Sequence, residues 1–367
     1  MTTTQSRPPS PARPPADRSP ASADYAMCIE QTLGHRAHGL NLHRAMEQRG
    51  SSVDYLAIRP PERPRVRMPW ALRGSIGAFR AVRAQERYRS VFFHTQTVSL
   101  LAPAATRGAP YVVSLDATPV QVDTMGRWYG QRPGTPLAER VKRAWYRQVL
   151  KRASAVVTWS EWAMESVRED YRVTPKRTLI VHPGAGADFF AIPRSDTPRS
   201  RPSILFVGGQ FHRKGGLDLI EAFEPLRDRA DLVIVTEDEV TVPEGVTVLR
   251  NIRPGTPEQR AVFAEADIFC LPTYADCTPV AIGEAMAAGL PVVSTTVGSN
   301  YESVPRDAGV LVTPGDVPAL RAALEALVDS PERRAAFARR ARQHAQCHMD
   351  AETNAGRILD LLEEVGQ

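Results

Sequence analysis

The chain has 367 residues, a length that predicts two or three domains. Hydrophobic residues make up 43% and charged residues 24%, as in folded globular domains, so a disordered chain, a collagen-like repeat and a fibrous coiled coil are excluded. Because no apolar run reaches the roughly 18 residues of a membrane span and the N-terminus lacks a signal-peptide core, a cytoplasmic protein is expected.

The N-terminal segment, residues 1–24, is rich in proline, serine, alanine, threonine and arginine and poor in apolar side chains. Such a segment cannot bury enough surface to offset the entropy of ordering it. A disordered tail is therefore predicted there.

From Tyr25 onward, short apolar runs alternate with helical stretches. Six strands are predicted in the first half: Tyr25–Glu30, Val53–Ile58, Val91–His94, Tyr111–Leu115, Ala155–Thr158 and Leu179–His182. Strands that alternate with helices indicate a parallel, doubly wound sheet, so an α/β domain is expected over residues 25–195.

A basic segment, Arg59–Arg89, interrupts this pattern with nine arginines against two glutamates, whereas the whole chain has a net charge of only +5. Apolar residues are interleaved with the arginines: Trp70, Leu72, Ile76, Phe79 and Val82. They predict a basic amphipathic helix from about Ser75 to Arg87. The segment suits peripheral contact with the inner face of a membrane or with an anionic acceptor, although a solvated arginine-rich face is the simpler interpretation. Nucleic-acid binding is not expected of a chain that is otherwise near neutral.

Residues 193–202 are polar, rich in proline and serine and without periodicity, which predicts a linker at 196–202. Six further strands are predicted after it: Ile204–Val207, Leu232–Thr236, Val246–Leu249, Ile268–Leu271, Val292–Thr295 and Val310–Val312. Helices are expected at Lys214–Leu226 and Pro279–Ala288. A second α/β domain is therefore expected over 203–345, followed by a helix at 346–367 that packs back on the first domain. Ligands of such sheets bind beyond the carboxyl ends of the strands, in this case in the cleft between the two domains.

A glycine-containing loop at residues 34–39 follows the first strand and is expected to precede a helix. Its glycines, Gly34 and Gly39, allow a close approach of the backbone to a ligand, and a helix N-terminus favours negative charge. The loop is not G-x-G-x-x-G, and no acidic residue ends the next strand. An NAD-binding site is therefore not expected.

A second loop follows the strand Ile204–Val207 and contains Gly208 and Gly209, then a basic pair, Arg213 and Lys214, before a helix. Arginine can bind a phosphate through two hydrogen bonds and lysine acts as a point charge, so the pair predicts a diphosphate site. A structural turn with a solvated basic pair is the alternative.

A third loop and helix place Asp276 and Glu284 eight residues apart. Pro279 suits the start of the helix and Gly289 its end. This spacing predicts that both carboxylates reach one cleft, one toward a sugar and one toward a ribose.

No metal site is expected. The four cysteines are scattered, so buried thiols are expected. His344, Cys347 and His348 lie close together but have no second pair of ligands. No two aspartates form the D-x-D pattern that would indicate a metal-bridged diphosphate.

The second half resembles the retaining family 4 glycosyltransferases of the GT-B fold. The matching stretches are ILFVGG (204–209), HRKGGLDLIEAF (212–223), EAMAAGLPVVS (284–294), ESV (302–304) and GVLVTPGD (309–316). The first half is similar to the family at TWSEW (158–162) and VHPGAGAD (181–188). The resemblance implies two Rossmann-like domains facing across a cleft. It also implies metal-independent transfer of a sugar, without a cofactor, from a UDP- or GDP-linked donor to a hydroxyl acceptor with retention. The acceptor is expected to be a small molecule, a saccharide or a lipid-linked molecule.

The resemblance also implies roles for the donor-side residues. Arg213 and Lys214 would hold the diphosphate and Glu284 the ribose. Asp276 stands where the family usually has a glutamate that contacts sugar hydroxyls. Other expected contacts with the sugar and phosphates are Gly208, Gly209, Thr278, Pro279, Val280, and Gly34 and Gly39 from the opposite domain.

On the acceptor side, Asp116 occupies the place after the fourth strand where many relatives have a histidine. An acid there can hold a donor or acceptor hydroxyl, or act as a base if its pKa rises; desolvation would raise the pKa of Asp116 and a nearby arginine would lower it. Asp116 is preferred to His94, which ends a buried strand and is equally well explained as a hydrogen-bonded core residue. His94 and His38 are the other candidates. A non-catalytic nucleotide-sugar-binding subunit and a nucleotide-sugar epimerase on the same fold stay open as alternatives.

Overall fold

The computed structural model describes residues 23–32, 34–60, 68–85, 87–130, 134–194 and 199–367. The strands in these ranges are β1 (Tyr25–Glu30), β2 (Val53–Ile58), β3 (Ser90–His94), β4 (Tyr111–Leu115), β5 (Ala155–Thr158), β6 (Thr178–Ile180), β7 (Ser203–Val207), β8 (Asp231–Val235), β9 (Val246–Leu249), β10 (Ile268–Leu271), β11 (Val292–Thr295) and β12 (Gly309–Val312). Residues 1–22 of the predicted tail, residues 61–67 and 86 of the predicted basic segment, and residues 196–198 of the predicted linker lie outside the described residues.

Helices connect the strands. They are α1 (His35–Arg49), α2 (Trp70–Arg83), α3 (Gln96–Ser99), α4 (Ala102–Ala105), α5 (Pro119–Thr124), α6 (Pro136–Arg152), α7 (Glu161–Glu169), α8 (Ala187–Phe190), α9 (Gly216–Phe223), α10 (Pro257–Glu265), α11 (Val280–Ala287), α12 (Asn300–Ser303), α13 (Val317–Val328), α14 (Pro331–His348) and α15 (Ala351–Val365). Short 3-10 turns lie at Gly126–Tyr129 and Glu224–Leu226.

The strands form two parallel six-stranded sheets, with the orders β2-β1-β3-β4-β5-β6 and β12-β11-β10-β7-β8-β9. Strands β1, β3, β4 and β5 are buried along their whole length, because helices cover both faces of a parallel sheet. The predicted α/β class and doubly wound sheets are confirmed. We call β1–β6 with the helices packed on it the first lobe, and β7–β12 with its helices the second lobe.

The C-terminal helix α15 belongs to the packing of the first lobe, although it follows the second lobe in sequence. Its residues Ile358, Leu359 and Leu362 are buried in one cluster with Leu42 and Met46 of α1. The sequence pattern predicted a single helix over 346–367, whereas α14 ends at His348 and α15 begins at Ala351. The Asp350 side chain accepts a hydrogen bond from Thr353 N (2.7 Å), so it caps the new helix.

Helix α2 differs from the predicted amphipathic helix, since it begins at Trp70 and ends at Arg83 instead of running from Ser75 to Arg87. It starts directly after Pro69, as prolines favour helix N-termini. Its apolar side packs on the core of the first lobe, where Ala78 and Val82 are buried and Phe79 is partly buried. No helix in the described ranges is long and apolar enough to span a membrane.

Candidate functional site

The N-terminus of α1 lies beside the N-terminus of α11 in the opposite lobe. Helix α1 begins at His35, within the segment predicted as a loop (34–39), because Gly34 already has helical backbone angles. A Cβ atom on Gly34 would lie 3.6 Å from Val280 Cγ2. Gly39 lies inside α1, where it packs on Tyr55 and Ile29 of its own lobe. Of the two predicted glycines, only Gly34 is therefore placed against the second lobe.

The basic pair lies on the turn between β7 and α9. Arg213 is only 6% exposed, and its guanidinium donates to Gln210 Oε1 (2.6 Å) and to the carbonyl of Ala275. Its Nη1 lies 3.9 Å from Asp276 Oδ2, and Lys214 Nζ is ion-paired with the same oxygen. Two cations thus share one carboxylate, which leaves an excess positive charge suited to a phosphate group.

The turn depends on glycine at two positions. Gly215 has a left-handed backbone (φ 75°), and a Cβ atom there would overlap the Pro272 carbonyl. Gly208 lies against the Lys214 stem, since a Cβ atom there would be 3.2 Å from Lys214 Cγ. Gly209 has open space where its Cβ atom would be. Of the two predicted glycines, Gly208 therefore contacts the basic pair, whereas Gly209 faces open space.

The first lobe covers Arg213 with an aromatic turn that was not predicted from the sequence. Tyr129 places its ring centroid 4.8 Å from Arg213 Cζ, and its hydroxyl is 3.4 Å from Arg213 Nη1. The neighbouring Trp128 stacks on Tyr274 of the second lobe, with ring centroids 4.5 Å apart. No local pattern indicates these contacts. They show that Arg213 faces the gap between the lobes.

The loop before α11 joins the basic pair to Gly34. Asp276 begins it, and Thr278 is held by a hydrogen bond to Ser299 Oγ (2.8 Å). Pro279 precedes the helix without providing a side-chain cap, and the Ile282 N–H donates to the Pro279 carbonyl (3.1 Å), so the N–H groups of Val280 and Ala281 are the ones at this helix start that a ligand could use. The predicted residues Asp276, Thr278, Pro279 and Val280 therefore lie on one continuous loop beside Lys214.

Glu284 lies farther along α11, in a cavity between the lobes. It is 8% exposed, and Gln259 Nε2 donates to its Oε2 (3.2 Å). Burial raises the pKa of Glu284 to about 7, and the nearby Asp188 carboxylate adds to this effect. The cavity is lined by Ala37, Leu40, Asn41, Arg44, Gly184, Gly186, Asp188, Phe189, Pro254, Gly255 and Glu284. The cavity lies between α1 and the second lobe.

A cluster of histidines occupies the first-lobe side of the gap. His94 is fully buried, with Nδ1 3.0 Å from Ser114 Oγ and Nε2 3.0 Å from His35 Nδ1. Its ring stacks on Trp159, with centroids 5.1 Å apart. His38 packs against the same two rings, and burial lowers its pKa to about 3. His94 and His38 are thus neutral, enclosed residues.

Asp116 lies closer to the gap than these histidines. Burial raises the pKa of the Asp116 carboxyl. The nearby His35, whose Nε2 is 3.8 Å from Asp116 Oδ2, lowers this pKa but does not outweigh burial. The Cys277 thiol of the second lobe is a hydrogen-bonding neighbour of the same carboxylate. His35 was not predicted, although its position directly after Gly34 was a signal. Asp116 and Asp276 therefore reach the gap from opposite lobes, and Cys277, which follows Asp276 in the chain, contacts Asp116.

Within the described ranges, no group of three His, Cys, Asp or Glu side chains is arranged to hold a metal ion. The rings of His344 and His348 lie side by side, with centroids 4.7 Å apart. Cys347, beside them, is exposed, whereas Cys28, Cys270 and Cys277 are buried.

Two family models match the chain. Residues 22–184 match a model described as a glycosyl transferase 4-like domain, and residues 201–330 match one described as glycosyl transferases group 1. The first match spans β1–β6 and the second spans β7–β12. Together they cover most of the chain.

Curated relatives match over part of their length. The chain is 29% identical over 218 residues to an MMP alpha-(1->4)-mannosyltransferase of Mycolicibacterium hassiacum, covering 56% of this chain and 50% of the relative. It is 29% identical over 242 residues to a D-inositol 3-phosphate glycosyltransferase of Corynebacterium aurimucosum, covering 58% of this chain and 57% of the relative. The chain thus spans little more than half the length of these relatives.

Solved structures match over nearly the whole fold. Sucrose-phosphate synthase from Thermosynechococcus elongatus superimposes with a TM-score of 0.73 at 18% identity, covering 93% of this chain and 98% of the other. Anabaena HepE in complex with UDP superimposes with a TM-score of 0.67 at 15% identity, covering 93% of this chain and all of the other (100%). At these identities the likeness establishes the shared two-lobed fold.

Proposed function

This chain belongs to the family 4 glycosyltransferases of the GT-B fold, and from that membership we propose that it transfers a sugar from a nucleotide-diphosphate-sugar donor to a hydroxyl acceptor with retention of anomeric configuration. The observation that carries the proposal is the pair formed by the buried Arg213 and the partly buried Lys214, which shares one carboxylate in the gap between the lobes. The bound UDP in Anabaena HepE supports a nucleotide donor. A UDP- or GDP-linked sugar is the proposed donor class.

The diphosphate binds, in this proposal, between the basic pair and the N-terminus of α11. Its charge displaces Asp276 from Lys214, so that the freed carboxylate turns to the hydroxyls of the sugar. Main-chain N–H groups around Val280, with Gly34 on the opposite side, supply further donors. The cations take the place of a metal ion, since they neutralise the same phosphate charge.

The nucleoside binds, in this proposal, beside Glu284 where α1 faces the second lobe. In this arrangement the carboxylate of Glu284 accepts hydrogen bonds from the ribose hydroxyls. Arg44 of α1 is an exposed cation at the edge of the same cavity, where a Cβ atom on Gly255 would be 3.7 Å from Arg44 Nη2. We therefore add Arg44 to the proposed nucleotide contacts.

The reaction breaks the bond between C1 of the sugar and the diphosphate oxygen, and the electron pair leaves with the diphosphate. Arg213 and Lys214 stabilise this departing charge from fixed positions in a partly desolvated gap. The acceptor oxygen forms the new bond to C1 on the face that the diphosphate leaves, which retains the configuration. Its proton passes to Asp116, whose pKa is raised by burial. His35 orients Asp116 through its contact with that carboxylate.

The acceptor enters beside Asp116 and His35. A small molecule, a saccharide and the sugar of a lipid-linked molecule each offer the hydroxyl that the reaction requires. The names of the curated relatives, a mannosyltransferase and an inositol-phosphate glycosyltransferase, support a polyhydroxylated acceptor. Exposed arginines such as Arg80 and Arg83 on α2 support a peripheral contact with anionic membranes that is electrostatic, because the apolar side of α2 is packed on the core.

The test is mass spectrometry of products formed by the purified chain from UDP- and GDP-linked sugars with a set of hydroxyl acceptors. We expect a glycosylated acceptor and free nucleoside diphosphate. Isomerised donor without transfer would identify an epimerase. Donor binding without transfer or hydrolysis would identify a non-catalytic subunit.

A further inference from the structure

Helix α6 exposes a row of apolar side chains on the surface of the first lobe. Leu137, Val141 and Trp145 are 69%, 55% and 46% exposed, and their spacing of four residues places them on one side of the helix. The side that faces the core carries Tyr146 and Val149, which are buried. We call Leu137, Val141 and Trp145 the apolar stripe. Single apolar side chains are common on protein surfaces, whereas a row of three marks a contact surface.

The apolar stripe is unusual for this molecule. In the described part of the chain, the other exposed large apolar side chains lie one each on α1, α9 and α12: Leu40, Leu217 and Tyr301. The Trp145 ring is held in place because its indole N–H donates to the Leu100 carbonyl (3.0 Å). Helix α6 therefore carries half of the exposed large apolar side chains that the structure describes, with the largest of them fixed in position.

The side chains beside the apolar stripe are positively charged. Five basic residues of α6 are exposed and form no ion pair with another described residue: Arg140, Arg143, Arg147, Lys151 and Arg152. At about 3.6 residues per turn, Arg140, Arg147 and Lys151 form a second row next to the stripe. The one acid of the helix, Glu139, is ion-paired with Lys142 (2.5 Å). The exposed surface of α6 therefore combines apolar side chains with uncompensated positive charge.

This combination matches the surface of a membrane that contains anionic lipids. An amphipathic helix lies in the plane of such a surface, with its apolar side chains at the boundary of the acyl chains and its cations on the lipid phosphates. Tryptophan is favoured at the same depth, because its ring is apolar and its edge is polar. A second copy of the chain fits less well, since a symmetric contact through α6 would bring the same cations together.

We propose that α6 docks the first lobe on an anionic lipid surface, with the apolar stripe between the lipid headgroups and the neighbouring basic residues on their phosphates. Helix α2 can add only charge, because its apolar side is packed on the core. Helix α4 contacts both α2 and α6, and all three bury residues in the same cluster, so the arginines of α2 lie on the same face of the first lobe.

Docking through α6 holds the acceptor lobe at the membrane. This placement fits the lipid-linked member of the acceptor classes proposed above. That consequence rests on the proposed function, whereas the docking surface itself rests only on the exposed side chains of α6.

The experiment measures binding of the full chain to lipid vesicles by flotation, without donor or acceptor. Vesicles of phosphatidylcholine alone are compared with vesicles that also contain phosphatidylglycerol, an anionic lipid, at low and high salt. We expect binding to the anionic vesicles to be about tenfold tighter, and weaker at high salt because ions screen exposed charges. Absence of binding to anionic vesicles would refute the docking surface and leave the proposed reaction standing, because that reaction is tested on soluble donors.

The double variant Leu137→Ser with Val141→Ser tests the apolar stripe. Because serine offers little apolar surface to the acyl chains, we expect the affinity for anionic vesicles to fall about tenfold. The control is Leu217→Ser, which removes a leucine of 46% exposure from α9 and should bind like the unmodified chain. Thermal unfolding checks that the variants are folded. Equal affinity in all three proteins would overturn the insertion of the stripe.

The double variant Arg140→Gln with Arg147→Gln tests the row of basic residues. We expect it to bind anionic vesicles about tenfold more weakly and with less dependence on salt. Arg306→Gln with Arg339→Gln removes the same charge from exposed positions of the second lobe and should leave the affinity unchanged. An equal loss in both pairs would show that net charge, and not α6, determines binding.

A polarity-sensitive fluorophore reports whether the stripe enters the lipid. It is attached to Val141→Cys in a Cys347→Ser background, because Cys347 is exposed and the other cysteines are buried. We expect its emission to shift to shorter wavelength with anionic vesicles, and no shift from the same label on Leu217→Cys. Light scattering measures self-association. A dimer that Val141→Ser dissociates, in a chain that binds no vesicles, would identify a second copy as the partner and overturn the proposal.

Discussion

Asp276 has two competing partners in the proposed reaction, Lys214 before the donor binds and the sugar hydroxyls afterwards. In the ion pair, the Asp276 carboxylate partly neutralises the Lys214 ammonium, so the site is less positive toward a diphosphate. The side chain is one methylene shorter than the glutamate usual in the family, so its reach toward the sugar depends on leaving Lys214. This residue therefore links diphosphate binding to sugar binding.

We predict that Asp276→Asn binds free UDP or GDP more tightly than the unmodified chain and transfers sugar more slowly. Removing the carboxylate leaves both cations for the diphosphate, and removes an acceptor for sugar hydroxyls. Calorimetry with the nucleotides and initial-rate kinetics with the sugar donor measure the two effects. Equal nucleotide affinity in both proteins would show that Lys214 does not bind the diphosphate.

Glu284 makes the stability of the fold depend on pH. Burial raises its pKa to about 7 in the folded chain, against an ordinary value of 4.5. Between these two values the unfolded state releases its proton first, so the free energy of unfolding falls as pH rises, by about 3 kcal/mol in total. The stabilisation is complete below pH of about 4.5 and is lost as pH passes about 7.

We predict that Glu284→Gln removes this component, so that its unfolding free energy falls less between about pH 5 and about pH 8 than that of the unmodified chain. Urea denaturation at both pH values measures the difference. Glu221→Gln, at an exposed position of α9, is the control and should behave like the unmodified chain. An identical pH dependence in Glu284→Gln would contradict the raised pKa.

At the scale of elements, the turn between β7 and α9 is the part of the site most sensitive to backbone geometry. Gly215 has positive φ and has no room for a side chain, because Pro272 O is in contact with it. Gly245 also has positive φ (88°), but no atom lies within 4 Å of the position that a Cβ atom would take there. Alanine substitutions at these two positions therefore distinguish the cost of backbone strain, which both share, from the cost of steric overlap, which only Gly215 has.

We expect Gly245→Ala to cost about 1–2 kcal/mol from the left-handed backbone alone. Gly215→Ala should cost more and should also weaken diphosphate binding, because the turn that carries Arg213 and Lys214 must shift. Chemical denaturation and nucleotide calorimetry measure these effects. Equal costs in both variants, with unchanged nucleotide binding, would show that the turn does not position the basic pair.

These elements were more predictable from the sequence than the site was. All twelve strands were found, because strands of a parallel sheet are buried on both faces and form continuous apolar runs, as in β1 and β4. Helix starts were less accurate, since α1 begins before its first apolar residue and α2 begins after a proline. The basic pair, Asp116 and Asp276 could be proposed as site residues because they lie after strand ends, and Glu284 because of its spacing from Asp276. Tyr129, Trp128 and His35 were not, because their contacts depend on how the lobes face each other, which no local pattern records.

At the scale of the whole molecule, one carboxylate holds the lobes together at the start of α7. The Glu302 carboxylate of the second lobe accepts hydrogen bonds from two main-chain N–H groups of the first lobe. It therefore caps the N-terminus of α7 from the opposite lobe. A movement that separates α12 from α7 would break both hydrogen bonds.

We predict that Glu302→Gln shifts the chain toward an open arrangement, because an amide presents one acceptor oxygen in place of two. Small-angle scattering should show a larger radius of gyration, and the KM for the donor should rise. Glu221→Gln is the control for the loss of a carboxylate. An unchanged radius and KM in Glu302→Gln would mean that the cap does not determine lobe closure.

The proposed transfer reaction depends on the buried cations binding the diphosphate of the donor. The most direct measurement compares, by calorimetry, the affinity for UDP with that for uridine, and for GDP with guanosine, in the unmodified chain and in Lys214→Met. We predict that the nucleotide on which the chain acts binds about 10- to 100-fold more tightly than its nucleoside, and that Lys214→Met loses most of this advantage while binding the nucleoside equally well. The same advantage in both proteins would contradict this role of the cations.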